Sequence, residues 1–152
     1  MKIYLDVCCL CRPFDDQRFH RIRMEAEAVI AILNGGMEGW ELVGSEVIEY
    51  EIAKISDEER RRSVESLLQF TQGPVMIDEA IMDRARTFNE IGIDAFDALH
   101  LATAESVGAV FLTTDDTLIK VIMNHANKIS IKVYNPVQWL MEVTAYGSKN
   151  TQ

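Results

Sequence analysis

Residues 3–11 read IYLDVCCLC, an apolar run interrupted by one aspartate and followed at once by three cysteines. Lys2–Leu5 has the length and composition of a buried strand. Asp6 then stands just past its carboxyl end, and Cys8, Cys9 and Cys11 read as small hydrophobes packed where that core strand finishes. An odd number of cysteines so close together makes no disulfide framework. The histidines, His20, His100 and His125, are scattered and do not supply the matching ligands of a zinc–thiolate site. The chemistry of this stretch therefore falls to Asp6.

Working outward, apolar periodicity predicts helix over Met24–Leu33, ended by Asn34, Gly35 and Gly36, and a second strand over Glu41–Val43. Ser45 opens a helix to Ile55, and a charged helix follows over Asp57–Phe70, closed by Gly73 and Pro74. Val75–Ile77 is extended. Helices follow over Asp78–Glu90 and Asp94–Val107, the latter stopped by Gly108, and then a strand over Val110–Thr113. Asp116–Asn124 is helical, Ile131–Val133 a last strand, and a helical turn follows Pro136. Strands alternating with helices of this length are the mark of parallel crossovers. The expected fold class is α/β, a three-layer α/β/α sandwich around a central, mostly parallel sheet.

At 152 residues the chain fits one domain, expected over 1–146 with a disordered tail over 147–152. Lys2 and Asp6 break any apolar leader at the start, and no run of about 18 uncharged apolar residues occurs. A cytoplasmic protein with no membrane segment is the simplest expectation. The net charge of −9 excludes a protein that coats nucleic acid by charge alone. It leaves open a local site that handles phosphates through bound cations.

In an open parallel sheet, ligands bind outside the carboxyl ends of the strands. Asp6 follows the first strand, and Asp115 follows FLTT. A helix feeding a parallel strand runs the opposite way, so the first turn of the helix before FLTT, with Asp97, arrives at the same edge. In GSEVIEYEIAKI, Val47, Ile48, Ile52 and Ile55 form one apolar stripe. Glu51 falls inside it, whereas Glu46 and Glu49 fall outside. A carboxylate on a core-facing stripe is costly unless a cation meets it. Asp94 and Asp97 also read as a helix cap and its third-position partner, and either Asp115 or Asp116 as the cap of the next helix. Four acids from four segments, Asp6, Glu51, Asp97 and Asp115, nevertheless converge on one edge, where like charges need counter-ions. Oxygen ligands suit hard cations such as Mg²⁺ or Mn²⁺.

YLDVCCL, GSEVIEYEI, DALHLATA and FLTTDDTLIK, in this order, make the chain resemble the PIN-domain family of metal-dependent ribonucleases, which includes the VapC-like toxins of toxin–antitoxin pairs. The family's acids match Asp6, Glu51, Asp97 and Asp115. The resemblance implies an endoribonuclease that hydrolyses phosphodiester bonds of single-stranded RNA with Mg²⁺ or Mn²⁺, an antitoxin protein as partner, and a homodimer. It departs from the family's habit at Cys8, where many members carry Asn, Ser or Thr. Candidate substrate contacts are Arg12, on the loop that leaves the acidic edge, with Cys8, Thr113 and Asp116 beside the acids. A non-catalytic PIN-like module that binds RNA or protein is the alternative. An aspartyl-phosphate hydrolase would want a second aspartate where Cys8 stands. His100, one turn after Asp97, is read as a satisfied helix histidine, and the arginines of DEERRR as pairing with Asp57 and Glu58 on a surface helix.

Overall fold

The computed structural model describes residues 1–35 and 39–150, with side chains through Thr144. Its strands are β1 (Lys2–Leu5), β2 (Glu41–Ser45), β3 (Gln72–Val75), β4 (Val110–Leu112) and β5 (Val133–Tyr134). The helices are α1 (Val7–Cys11), α2 (His20–Leu33), α3 (Glu46–Ala53), α4 (Glu58–Ser66), α5 (Glu79–Glu90), α6 (Ala95–Ser106), α7 (Asp116–Asn124) and α8 (Pro136–Asn150). The five strands form one sheet in the order β3-β2-β1-β4-β5, and every pairing is parallel. This is the α/β/α sandwich that the alternating pattern leads one to expect.

The central strand explains the layers. Ile3, Tyr4 and Leu5 are buried in succession, so both faces of β1 are covered and an unbroken apolar run can occupy it. Tyr4 stacks on Phe111 of β4 with ring centroids 5.7 Å apart. From β1 the chain winds outward through β2 to β3, then returns across the sheet to β4 and β5. Right-handed crossovers place α1–α4 on one face and α5–α7 on the other. The winding direction reverses between β1 and β4, and in open α/β sheets the ligand crevice lies outside the strands' carboxyl ends at such a reversal. Leu5 pairs with Leu112 there, and the Asp6 amide donates to the Leu112 carbonyl at 2.9 Å.

Several elements differ from the sequence reading. The cysteines do not end a strand. They lie on α1, which Asp6 starts by accepting a hydrogen bond from the Val7 amide at 2.9 Å. Cys9 is buried, Cys8 and Cys11 are half-buried, and all three are free thiols. Helix α2 starts at His20 rather than Met24, and Gly36, expected in the turn that ends it, lies outside the described residues. The third strand precedes the expected extended run and contains Pro74, which an edge strand tolerates because it needs no donor on its open side. Helix α8 is a full helix rather than a turn. Its backbone continues through 147–150, part of the expected tail, while 151–152 lie outside the described residues. Among the described residues, no helix is long and apolar enough to cross a membrane.

Candidate metal centre

Asp6 is held in place by three groups. The carboxylate is only 6% exposed. It takes the Val7 amide on one oxygen and, on the other, the Thr113 hydroxyl at 2.8 Å and the Cys8 thiol at 3.4 Å. Thr113 reaches it because β1 and β4 are neighbours in register, so the residue after Leu112 stands opposite the residue after Leu5. The strong hydroxyl bond to the acid thus comes from Thr113, while Cys8 adds a weaker thiol contact and accepts from the Thr114 amide at 3.4 Å. Burial pushes the Cys9 thiol well up from its ordinary range, and its proton points to the Leu112 carbonyl. That thiol packs and is not a nucleophile.

Thr113 also connects Asp6 to the next acid. Its hydroxyl oxygen accepts from the Asp115 amide at 3.2 Å. Asp115 starts α7, with its carboxylate accepting from the Leu118 amide at 3.1 Å. Asp116, next along, is gripped by Arg21 through two bonds of 2.6 and 2.8 Å, which holds its carboxyl below the usual range.

Helix α6 brings Asp97 in its first turn. Burial first, and then the charges of Asp6, Asp115 and Asp94, push its carboxyl up from 3.8 to about 6, with His100 acting in the opposite sense. Asp94 occupies the cap position, but its side chain makes no capping bond. The helix starts without the aspartate cap the sequence suggests.

Glu51 arrives from α3, where Ser45 caps the first turn by accepting from the Ile48 amide at 3.0 Å. Its carboxylate meets Nε2 of His100 at 2.8 Å. His100 is fully buried, with both ring nitrogens engaged, Nδ1 facing the Tyr4 hydroxyl at 2.6 Å. Asp6, Glu51 and His100 bring one potential ligand atom each within 4.8 Å of one another. Sequence reasoning placed Glu51 and Asp6 at this edge, read Ser45 as the start of the helix and His100 as a satisfied helix histidine, and did not single out Tyr4. DALHLATA placed His100 one turn from Asp97, yet nothing in the sequence points its ring at Glu51.

The remaining candidates lie further out. Arg12, 23% exposed, is bound to Asp15 at 2.8 Å and to the buried Glu25 at 2.9 Å. Glu25 also receives Arg21 and Asn135. In the DEERRR helix, Glu58 pairs with Arg62. Asp57 caps the Arg60 amide instead of facing Arg61, and Arg61 donates to the Ile55 carbonyl. Among the described residues, no buried side-chain nitrogen or oxygen lacks a partner.

Two of the three clustered ligand atoms are carboxylate oxygens, which suit a hard divalent cation. Burial is the first cause of the raised Asp97 carboxyl and the neighbouring acids the next, and a cation would relieve the repulsion among them. The PIN domain family model matches residues 3–122, a span that holds all four acids. The fold is similar to that of FitAcB from Neisseria gonorrhoeae, with a TM-score of 0.60 and 19% identity over 90% of this chain and 98% of that one. It is also similar to FitAB bound to an IR36 DNA fragment, with a TM-score of 0.53 and 22% identity over 90% and 96% of the two chains. No curated protein matches the chain.

Proposed function

Because the chain belongs to the PIN-domain family, we propose that it is a divalent-metal-dependent endoribonuclease that hydrolyses phosphodiester bonds of single-stranded RNA, and that it is the toxin half of a toxin–antitoxin pair. The observation that carries this reading is the meeting of Asp6 and Glu51, from different elements, with a carboxylate oxygen of each within 4.8 Å of the other, and the Asp97 carboxyl, raised by burial and by Asp6 and Asp115, supports it. Acids pressed together at a strand edge are costly for the fold and useful for binding a cation.

Asp6, Glu51, Asp97 and Asp115 would hold the ion. Mg²⁺ or Mn²⁺ bound there supplies positive charge toward a phosphodiester and acidifies a water. The chain's own part is placement. The Thr113 hydroxyl and the Val7 amide fix both oxygens of Asp6, the Leu118 amide fixes one of Asp115, and His100 fixes one of Glu51. No cysteine, serine or histidine nucleophile is required, in keeping with the buried Cys9 thiol.

Of the candidate substrate contacts, Cys8 and Arg12 are kept, with Arg12 reaching RNA only by exchanging one of its carboxylate partners for a phosphate, whereas the buried Thr113 hydroxyl serves Asp6 and Asp116 is held by Arg21. The exposed apolar side chains Met76 and Met82, beside and on α5, are assigned to a homodimer face. The antitoxin is the expected protein partner, and the cytoplasm the expected compartment.

The test is incubation of the purified chain with single-stranded RNA, with Mg²⁺, with Mn²⁺ and with excess EDTA, before and after alkylation of the cysteines. Cleavage that needs either ion and survives alkylation is expected. Cleavage persisting in EDTA removes the metal mechanism, and Mn²⁺ binding without cleavage of any RNA supports a non-catalytic module.

A further inference from the structure

We propose that Ser45, Tyr4 and His100 form a buried positioning chain that orients the Glu51 carboxylate, and that His100 acts as a hydrogen-bond donor to Glu51 rather than as a metal ligand. This rests on reading the acidic edge as a metal site. The links are Ser45 Oγ to the Tyr4 hydroxyl at 2.7 Å, that hydroxyl to His100 Nδ1 at 2.6 Å, and His100 Nε2 to Glu51 Oε2 at 2.8 Å. Ser45, Tyr4 and His100 are each fully buried, and the members come from the end of β2, from β1, from α6 and from α3.

Proton counting places a hydrogen on Nε2. Ser45 Oγ already accepts the Ile48 amide as a helix cap, which leaves its own proton for Tyr4. The Tyr4 phenol carries a proton at neutral pH and donates it to Nδ1, 2.6 Å away. A neutral imidazole that accepts at Nδ1 carries its hydrogen on Nε2, the nitrogen facing Glu51. If Tyr4 turned toward Ser45 instead, the Glu51 carboxylate, which only accepts, would still call for a hydrogen on Nε2. In either arrangement the Nε2 that lies within 4.8 Å of Asp6 and Glu51 has no lone pair for a cation. His100 belongs to the cluster through Glu51.

The chain meets a particular need of Glu51. Its side chain is 35% exposed and longer than an aspartate, with more rotamer freedom to lose. Among the described residues, His100 provides its one hydrogen bond. A donor rooted in the core holds one oxygen and leaves the other facing the site. Histidines and carboxylates that support metal ligands in this way typically change metal affinity or activity by about 10- to 100-fold when removed.

The test is imidazole ¹⁵N NMR of the full chain titrated with Mg²⁺, alongside Mn²⁺ affinity of three variants. His100 is expected to carry its proton on Nε2 in the metal-free protein and to keep it at saturating Mg²⁺. His100→Gln, whose amide can still donate to Glu51, should bind Mn²⁺ within about threefold of the parent, whereas His100→Leu should bind about tenfold or more weakly and Tyr4→Phe several-fold more weakly. Loss of the Nε2 proton on Mg²⁺ binding makes His100 a ligand and overturns the proposal. So does parental Mn²⁺ affinity in folded His100→Leu or Tyr4→Phe. Should His100→Leu fail to fold, the NMR result and Tyr4→Phe, which loses one oxygen only, still decide. If the parent binds neither ion, the metal-site reading fails, while the metal-free tautomer still reports on the chain: a proton on Nδ1 alone contradicts it.

Discussion

Asp97 carries the conflict between stability and function in a single side chain. Its carboxyl is raised from 3.8 to about 6, so the folded protein prefers the neutral form. The stabilisation is complete below the unfolded value of 3.8 and is lost as pH rises through about 6. The metal-free protein is therefore expected to lose stability, through this group, between about pH 4 and pH 7. The side chain is half-buried, and solvent screening reduces the effect to about 1 kcal/mol, or about 2–4 °C in a chain of this size. Asp97→Asn should remove that slope, melt at the same temperature as the parent or a few degrees higher without metal near pH 7.5, and gain nothing from Mn²⁺. Thermal melts with and without Mn²⁺ at both ends of this range check it. A variant that still gains stability from Mn²⁺ as the parent does would take Asp97 out of the site. At this scale the sequence was informative where a residue's position along its element decides its place: Asp6 and Asp115 by following strands, Asp97 by the direction of its helix. His100 reads there as a satisfied helix histidine, as its two engaged nitrogens show, but the sequence could not name the partners, Tyr4 and Glu51, separated from it by 96 and 49 positions.

Among the elements, the long periodic helices and the apolar strands were legible, because their patterns repeat over several turns or fill a buried strand. Helix α1 was not. Five residues give no period to read, and Val-Cys-Cys-Leu-Cys is equally apolar as a strand. The capping role of Asp6 is the one local signal that separates the two. Strand β3 was misplaced because Gly73-Pro74 reads as a break, although an edge strand accommodates it. Asp115 gives the sharpest test at this scale, since it caps α7 and is also proposed to hold the ion. Asparagine caps nearly as well as aspartate, whereas alanine does not cap. Asp115→Asn should therefore melt close to the parent, and Asp115→Ala should lose about 1 kcal/mol, while both bind Mn²⁺ far more weakly. Circular dichroism melts and Mn²⁺ titration separate the two roles. Full Mn²⁺ affinity in Asp115→Asn would leave Asp115 as a cap alone.

For the whole molecule, the order β3-β2-β1-β4-β5 makes the first strand central and puts the reversal of winding between β1 and β4, so residues more than a hundred positions apart meet at one crevice. An acidic chain of net charge −9 gains little from long-range attraction to RNA, which places the burden of phosphate recognition on the cation that this crevice is read to hold. The central claim is that the crevice is a hard-cation site built from carboxylates, and calorimetric titration of the full chain with Mn²⁺ from about pH 5 to pH 7.5, in buffers of differing ionisation heat, tests it most directly. Protons compete with the ion at Asp97, so affinity should weaken as pH falls through about 6, with a proton released on binding in that range. The absence of Mn²⁺ binding at any pH, or binding equally tight at both ends with no proton released, would contradict the account.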